Sequence, residues 1–472
     1  MERDLFHYKQ VYFWIIIAML IALVAFKFEA LFLPFFWDEA WVYMPAIRTM
    51  AEQGLSIMPG SIDAELYTGH PLLFYFLAAT WIKVFGDSLW VAHSFPLLIS
   101  IGLLLSVYYV GYKWTKSVFA GAASAFLVLV QPIFLTQSTF LLIECWLGLL
   151  FVWSFYFYYS RNWLGFAVVI VMALWSKESA YCLLPCFGLV AVFEYFILKE
   201  SAKVLGLKLA GILGLFLLGF VFFFIQKMKM GWYFFPRHSN WINFDEMNYK
   251  FDIAIDILFK NQGKSYYYIL AFAALFIGIF KYDYRLKKIQ YLQVAGILIF
   301  VFGFSLFASI NFFSNRYLFG AIPLLMLGCG IFFAGIEKSI LFKYPLHLLV
   351  VYAVPNIMTS LSLNEFSDTE LSYTKLLKAQ VNMVDYLVAN PPQEQTYAPF
   401  LMLVNLSNSK SGFVKEGMHY LSNQVKDSAN VYYLSLPNEH ENDFDSILAS
   451  GKLELVFRAE VDQAWVDLHK KK

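Results

Sequence analysis

Long apolar segments constrain the fold of this chain more than any other feature. A helix needs about 20 apolar residues to cross a bilayer, because its backbone polar groups must be satisfied internally in lipid. With 60% hydrophobic and only 15% charged residues, a soluble core is excluded. We predict an all-α polytopic membrane protein with about eleven spans, at 11–33, 90–112, 118–135, 139–159, 163–176, 180–198, 204–225, 264–280, 289–310, 318–336 and 343–361.

The positions of Lys and Arg predict the orientation of these spans. Short cytoplasmic loops collect both residues, and such clusters follow the spans near residues 113, 161, 199–208, 281–288 and 338–343. With the N-terminus also cytoplasmic, residues 34–89 form a first outer loop and 226–263 a second. The apolar piece 71–86 would reach only about 24 Å, so we predict that it lies at the outer interface.

Composition becomes polar near Leu363. Beyond it, the pattern predicts a helix over 369–390 and strands over 396–406, 431–436 and 453–457. We therefore expect a transmembrane domain over 1–362 and a small extracytoplasmic α/β domain over 363–472. A docking or structural role without catalysis is the favoured interpretation of the second domain.

Two adjacent carboxylates, Asp38 and Glu39, directly follow the first span and Trp37. Ionisable groups at membrane depth cost several kcal/mol unless they are paired or hydrated, so bare carboxylates at a membrane boundary need a reason. Capping of the following helix accounts for one acid more easily than for two. We predict that Asp38 and Glu39 are catalytic.

Further charged groups interrupt apolar sequence or lie in the outer loops. Glu144 has no cation close to it in sequence, whereas Lys177 and Glu178 are neighbours that could neutralise each other. The predicted cavity-lining residues are Glu65, Glu144, Lys177, Glu178 and His238.

Cations on the outer face run against the positive-inside bias, and this favours a bound anion such as a lipid phosphate. The alternatives are snorkelling lysines in an aromatic belt, an interfacial anchor at Arg316, and a polar turn or metal ligand at His70. The candidate phosphate-binding residues are His70, Lys227, Lys229, Arg237, Arg316 and Tyr317.

The order of several short motifs resembles the GT-C membrane glycosyltransferases, in the branch of protein O-mannosyltransferases and lipid A aminoarabinose transferases. The motifs are Trp37-Asp38-Glu39-Ala40, Gly69-His70-Pro71-Leu72, Phe85-Gly86-Asp87-Ser88, Lys177-Glu178 and Asn315-Arg316-Tyr317-Leu318. The resemblance implies inverting transfer of a hexosyl or pentosyl group from a polyprenyl-phosphate carrier to a hydroxyl acceptor at the outer face. It also implies that Asp38 is the catalytic carboxylate and that His70 lies near the donor phosphate.

The chemistry agrees with these residue types. A general base activates the acceptor hydroxyl, and the departing phosphate needs cations or a metal rather than a general acid. A divalent ion at Asp38, Glu39, Glu65, His70 and His238 stays open, because their spacing matches no recognised ligand pattern.

Two other functions are compatible with part of the sequence. A lipid or solute transporter would use Glu144 and Lys177-Glu178 along a pathway, but no internal repeat is evident. A non-catalytic envelope scaffold leaves the first outer loop unexplained. The net charge of +1 and the scattered basic residues predict no nucleic-acid partner. The expected partners are a polyprenyl-phosphate-linked sugar, membrane lipids and an unknown hydroxyl acceptor, in a bacterial plasma membrane.

Overall fold

The computed structural model describes residues 2–260, 264–337, 357–362, 365–423, 432–437 and 451–472. Its α-helices are α1 (Glu2–Lys27), α2 (Met44–Gln53), α3 (Ala64–Tyr67), α4 (Leu73–Phe85), α5 (Leu89–Thr115), α6 (Val118–Leu129), α7 (Pro132–Gln137), α8 (Glu144–Tyr159), α9 (Trp163–Leu174), α10 (Leu183–Leu198), α11 (Ala202–Met230), α12 (Pro236–Asn240), α13 (Met247–Phe259), α14 (Lys264–Tyr282), α15 (Lys288–Ile310), α16 (Ile322–Phe333), α17 (357–362), α18 (Tyr373–Ala389) and α19 (Phe400–Ser407). A π-turn (Glu39–Tyr43) precedes α2, and 3-10 turns precede α10 (Glu178–Cys182) and α16 (Asn315–Ala321).

The helices confirm a polytopic membrane protein. Within the described ranges, 7 helical segments are long and apolar enough to cross a membrane, and three shorter apolar helices accompany them. The seven are Gln10–Lys27, Leu89–Thr115, Glu178–Leu198, Ala202–Met230, Lys264–Tyr282, Lys288–Ile310 and Asn315–Ile336. The predicted span at 343–361 falls largely on residues outside the described ranges, so the number of eleven stays a prediction.

Two predicted spans are shorter as continuous helices than their apolar sequence, and proline explains one of the two. The first helix ends at Lys27, a 3-10 turn follows over Glu29–Phe32, and Leu33 is extended before Pro34. The segment 118–135 is broken after Leu129, since Gln131 is extended before Pro132, which begins α7. Apolar length alone therefore overestimates the continuous helix at these positions.

Residues 34–89, the predicted first outer loop, fold as a chain of short helices. Helix α4 covers most of the segment 71–86 and, at about 1.5 Å per residue, extends only about 20 Å. Its Tyr75 stacks on Tyr43 of the π-turn, with ring centroids 5.4 Å apart. Trp81 Nε1 donates to the carbonyl of Val91 at 2.9 Å, which ties α4 to α5.

The C-terminal region contains a mixed five-stranded sheet with the order β2-β1-β3-β5-β4. The strands are β1 (Thr396–Tyr397), β2 (Leu421–Ser422), β3 (Tyr432–Ser435), β4 (Leu453–Val461) and β5 (Ala464–Lys471). Strands β1 and β2 and strands β1 and β3 pair in parallel, whereas β5 is antiparallel to both β3 and β4. Tyr386 of α18 stacks on Phe457 of β4 with centroids 3.9 Å apart, so the helix covers this sheet.

The predicted strand over 396–406 is wrong beyond Tyr397. Pro399 caps α19, and the following Leu and Met residues have high helix propensity. Short continuous apolar runs do not distinguish a strand from a buried helix. Strand β5 was not predicted, and the expected domain boundary at Leu363 lies outside the described residues.

The C-terminal region lies against the first outer loop. Lys410 pairs with Glu52 at 2.7 Å, and its carbonyl accepts a hydrogen bond from Arg48. Trp41 and Phe400 form an edge-to-face pair with centroids 5.5 Å apart. These contacts bring polar C-terminal sequence close to the residues that follow Asp38.

Candidate active site

A buried arginine links three carboxylates at the entry to α16. Arg316, in the 3-10 turn, donates from one terminal nitrogen to Asp38 and from the other to Asp368. Its Nε lies 3.7 Å from Glu144 Oε1. The Arg316 side chain is only 4% exposed. A planar guanidinium with several fixed donors suits such bridging, which a lysine could not reproduce.

Lys177 supplies a second buried cation beside this cluster. Its Nζ donates to Glu144 Oε1 at 3.0 Å and lies 4.1 Å from the centre of the Tyr317 ring. Glu144 therefore has cations from two distant parts of the chain, although it has none close in sequence. Asp38, Glu144 and Asp368 together carry one more formal charge than Lys177 and Arg316 can neutralise.

Lys177 and Glu178 do not neutralise each other. The backbone at Lys177 is extended, whereas Glu178 begins a 3-10 turn, and the two side chains take different partners. Glu178 contacts His70 Nδ1 at 2.8 Å and His238 Nδ1 at 3.7 Å. The rings of His70 and His238 have centroids 5.0 Å apart.

The two histidines and Glu178 form a set that could hold a metal ion. One ligand atom from each lies within 4.8 Å of the others. Burial, followed by the electrostatic influence of nearby His70, lowers the pKa of His238 to about 4, so His238 is neutral near pH 7. Two imidazoles and a carboxylate suit Zn²⁺ or a similar transition metal better than Mg²⁺.

A cavity of about 390 Å³ adjoins these groups. Its polar lining residues are His70, Glu144, Lys177, Glu178, Ser179, Tyr181, His238, Trp241, Asn311 and Tyr317. The remaining wall is apolar and largely aromatic, with Phe216, Phe220, Phe223, Phe234, Phe304, Phe307 and Phe312. An aromatic cavity with a few converging charged groups is typical of a site for an amphipathic ligand.

Asp38 is not among the described residues that line this cavity, and neither is Arg316, which connects Asp38 to the lining residue Glu144. The Asp38 side chain is 21% exposed, and Asp38 follows Trp37, whose φ of +52° is a conformation that bulky residues rarely adopt. The Asp38 side chain caps no helix, because its carboxylate is turned to Arg316. The turn that presents Asp38 thus stores backbone strain, which is frequent at functional sites.

Glu39 is fully buried and faces away from solvent. Its oxygens accept hydrogen bonds from the backbone N–H of Phe36 at 3.2 Å and of Leu141 at 2.7 Å. His93 Nε2 lies 3.1 Å from the same carboxylate. These contacts tie the turn before α2 to the segment between α7 and α8.

Four further predicted residues lie apart from the cavity described here. Arg237 pairs with Glu65 at 3.4 Å, and both side chains are more than 60% exposed. Lys227 donates to the carbonyl of Gly231, and Lys229 is exposed. The described structure brings none of these four onto the cavity wall.

Two residues of the site were missed in the sequence. Asp368 lies in polar sequence with no motif, and nothing local signals its contact with Arg316. Burial raises the pKa of the Asp368 carboxyl above its usual value, and Arg316 beside it acts in the opposite direction. His93 carries a usable signal, because it is an ionisable residue inside the predicted span 90–112.

Two crystal structures of one enzyme share this architecture over nearly the whole chain. The crystal structure of ArnT from Cupriavidus metallidurans bound to undecaprenyl phosphate is similar with a TM-score of 0.58 and 12% identity, covering 95% of this chain and 97% of that one. The same enzyme in the apo state gives 0.57 and 13%, with the same coverage. The Archaeoglobus fulgidus oligosaccharyltransferase gives 0.49 and 11%, covering 90% of this chain and 69% of that one.

The chain therefore has the GT-C fold, as the motif order implied. ArnT, a lipid A aminoarabinose transferase, is a member of that superfamily. The chain is an integral membrane protein of this fold class with a small C-terminal sheet. Neither a protein-family model nor a curated protein matches the sequence.

Proposed function

We propose that this protein is an inverting glycosyltransferase that moves a sugar from a polyprenyl-phosphate carrier to a hydroxyl acceptor at the outer face of the membrane. The observation that carries the proposal is the cavity, whose aromatic wall suits an isoprenoid and whose charged groups suit a phosphate. ArnT, which shares the fold, binds undecaprenyl phosphate. The transferred sugar is a hexose or a pentose.

In this proposal Asp38 is the catalytic carboxylate. The acceptor oxygen attacks the anomeric carbon, the bond from that carbon to the phosphate oxygen breaks, and the acceptor proton passes to Asp38. A single displacement inverts the anomeric centre through an oxocarbenium-like transition state. Glu39 is fully buried, and its oxygens already accept hydrogen bonds from backbone N–H groups, so it acts by holding the turn that presents Asp38.

The developing negative charge of the leaving polyprenyl phosphate is stabilised by the buried cation Lys177 and by hydrogen bonds from His70 and Tyr317. All three line the cavity, and a fixed cation with fixed hydrogen-bond donors in a site shielded from water stabilises developing negative charge strongly. Lys227, Lys229 and Arg237 are exposed candidates for contact with the donor headgroup as it arrives. A metal held by His70, Glu178 and His238 would supply further positive charge when bound.

The orientation belongs to the same proposal. The N-terminus lies in the cytoplasm, the loops 34–89 and 226–263 lie outside, and residues 363–472 form an extracytoplasmic domain. The acceptor is a lipid, glycan or protein hydroxyl, and the membrane is a bacterial plasma membrane.

The test replaces Asp38 with Asn in purified protein. The substrate is undecaprenyl phosphate carrying a radiolabelled hexose or pentose, with bacterial envelope lipids as acceptors. Loss of a general base lowers transfer by about 100- to 10,000-fold. Asp87→Asn is the matched control, because Asp87 also pairs with an arginine, Arg48 at 2.8 Å, in the same outer loop.

Unchanged transfer by folded Asp38→Asn protein would remove Asp38 from catalysis. Movement of the labelled lipid across vesicles without sugar transfer, by wild-type protein, would support a transporter instead.

A further inference from the structure

The arginine that binds Asp38 is itself bound by a second carboxylate on its opposite side. The two terminal nitrogens of Arg316 contact different carboxylates, Asp38 and Asp368. These residues come from the first outer loop, the entry to α16 and the segment before α18. Because the donors of a guanidinium are coplanar and fixed, anchoring one nitrogen sets the direction of the other.

Asp368 is built into the structure firmly enough to serve as that anchor. Its side chain is 9% exposed, and its backbone carbonyl accepts a hydrogen bond from Gln137 Nε2 at 2.6 Å. Gln137, at the end of α7, is itself buried. The Asp368 backbone, and with it the base of the carboxylate side chain, is therefore anchored to α7 as well as to the C-terminal segment.

The same C-terminal segment also contacts the sequence just before Asp38. Tyr373 packs against Phe36 with centroids 5.6 Å apart and against Phe140 at 4.6 Å. The Tyr373 hydroxyl accepts a hydrogen bond from buried Lys27 Nζ at 3.0 Å. Residues 368–373 thus fix both the arginine partner of Asp38 and the backbone that leads to it.

Another carboxylate competes for the arginine. Glu144 Oε1 lies 3.7 Å from Arg316 Nε, and Glu144 Oε2 has no hydrogen-bond partner among the described residues. If the Asp368 charge were absent, Arg316 could turn toward Glu144 and release Asp38. Asp368 opposes that rotation.

From these contacts we propose that Asp368 is a positioning residue for sugar transfer. It fixes Arg316 so that the other side of the guanidinium holds the Asp38 carboxylate in the direction required by the acceptor hydroxyl. The C-terminal region thereby completes the active site instead of serving only for docking. This inference rests on the proposed function.

The test measures transfer by Asp368→Asn in the full-length protein with the labelled undecaprenyl phosphate sugars. Misplacement of a catalytic group by about 1 Å can cost about 100-fold, so kcat is expected to fall by about 10- to 100-fold. KM for the donor should change little, because Asp368 is not among the described residues that line the cavity. Asp368→Glu, which keeps the charge, should recover much of the loss.

Asp462→Asn is the matched control. Asp462 also pairs with a cation of the C-terminal region, Lys375 at 3.3 Å, but it is 66% exposed and lies in the turn between β4 and β5. Its replacement should leave kcat unchanged.

Measuring the effect of Asp368→Asn in a second variant, Arg316→Lys, separates a positioning role of Asp368 from a general structural role. In Arg316→Lys protein the compact ammonium cannot hold two carboxylates in one plane. Removing the Asp368 charge there should reduce kcat by less than about threefold, since coupled residues are not additive. Wild-type kcat in Asp368→Asn, an equal loss in both backgrounds, or failure of Asp368→Asn alone to fold would overturn the inference.

The two proposals fail separately. If Asp38→Asn abolishes transfer while Asp368→Asn does not reduce it, only the positioning role is lost. If Asp38→Asn retains full transfer, the proposed function of Asp38 is lost as well.

Discussion

At the scale of single residues, the sequence identifies charged groups but not their partners. Glu144 and Lys177 stand out because ionisable residues in apolar sequence require compensation. Their pairing across 33 positions is set by how α8 and the turn before α10 pack, which no local pattern encodes. Asp368 shows the same limit more strongly, since it is unremarkable until the fold brings it to Arg316.

The Lys177–Glu144 pair gives a prediction at this scale. Lys177→Gln leaves Glu144 in a buried position without its closest cation, and breaking one partner of a buried pair typically costs about 3–5 kcal/mol. The melting temperature in detergent should fall clearly, whereas Lys260→Gln, which breaks an exposed pair with Asp256, should leave it unchanged.

The double variant Glu144→Gln, Lys177→Gln tests the coupling. It should be less destabilised than the sum of the two single variants, because each single change leaves an unpaired charge. Additive losses, or a Lys177→Gln protein as stable as wild type, would contradict the assignment of this pair.

At the scale of helices and loops, apolar length predicted most of the helices. It overestimated some of their lengths, as where Pro132 interrupts the predicted span 118–135. The sequence could not distinguish a short helix from a strand at 400–406, because both bury a continuous apolar run. It did identify α4 as too short to span. Loop conformation was the least predictable, and the loop 232–241 carries His238 to the cavity through contacts with the first outer loop.

Gly69 tests how those two loops meet. It has φ +70°, and a Cβ there would lie 2.8 Å from Phe235 Cβ and 3.0 Å from the Trp232 ring. The backbone N–H of His238 donates to the Phe235 carbonyl at 2.9 Å, so displacement of Phe235 moves His238. Gly69→Ala should therefore lower transfer by about tenfold or more.

Gly86→Ala separates this effect from backbone strain. Gly86 also has positive φ, +102°, but nothing lies within 4 Å of its would-be Cβ. It should cost about 1 kcal/mol of stability and leave kcat intact. Equal kcat values for the Gly69 and Gly86 variants would show that the loop contact does not matter.

At the scale of the whole molecule, the GT-C fold followed from motif order, while orientation rests on charge bias. Part of the positive charge of the predicted cytoplasmic loops is neutralised, because Arg161 and Lys208 both pair with buried Glu194, at 3.0 Å and 2.6 Å. Such pairs do not remove the Lys and Arg excess, since acidic residues contribute little to topology. The outer position of the site therefore needs a direct measurement.

Cysteine labelling provides it. All four native cysteines are buried, so a membrane-impermeant maleimide should react weakly with the wild-type protein in intact cells. Ser88→Cys and Lys415→Cys, at exposed positions, should label from outside, whereas Lys203→Cys should label only after permeabilisation. The reverse pattern would place the first outer loop in the cytoplasm and exclude the proposed orientation.

The most direct test of the central claim is a cryo-EM structure of the protein with undecaprenyl phosphate. We expect the isoprenoid to lie against Phe216 and Phe220, with its phosphate within about 3 Å of Lys177 or Tyr317 and on the side that faces Asp38. A lipid bound outside this cavity, or a phosphate on the face of the helices remote from Asp38, would contradict the account.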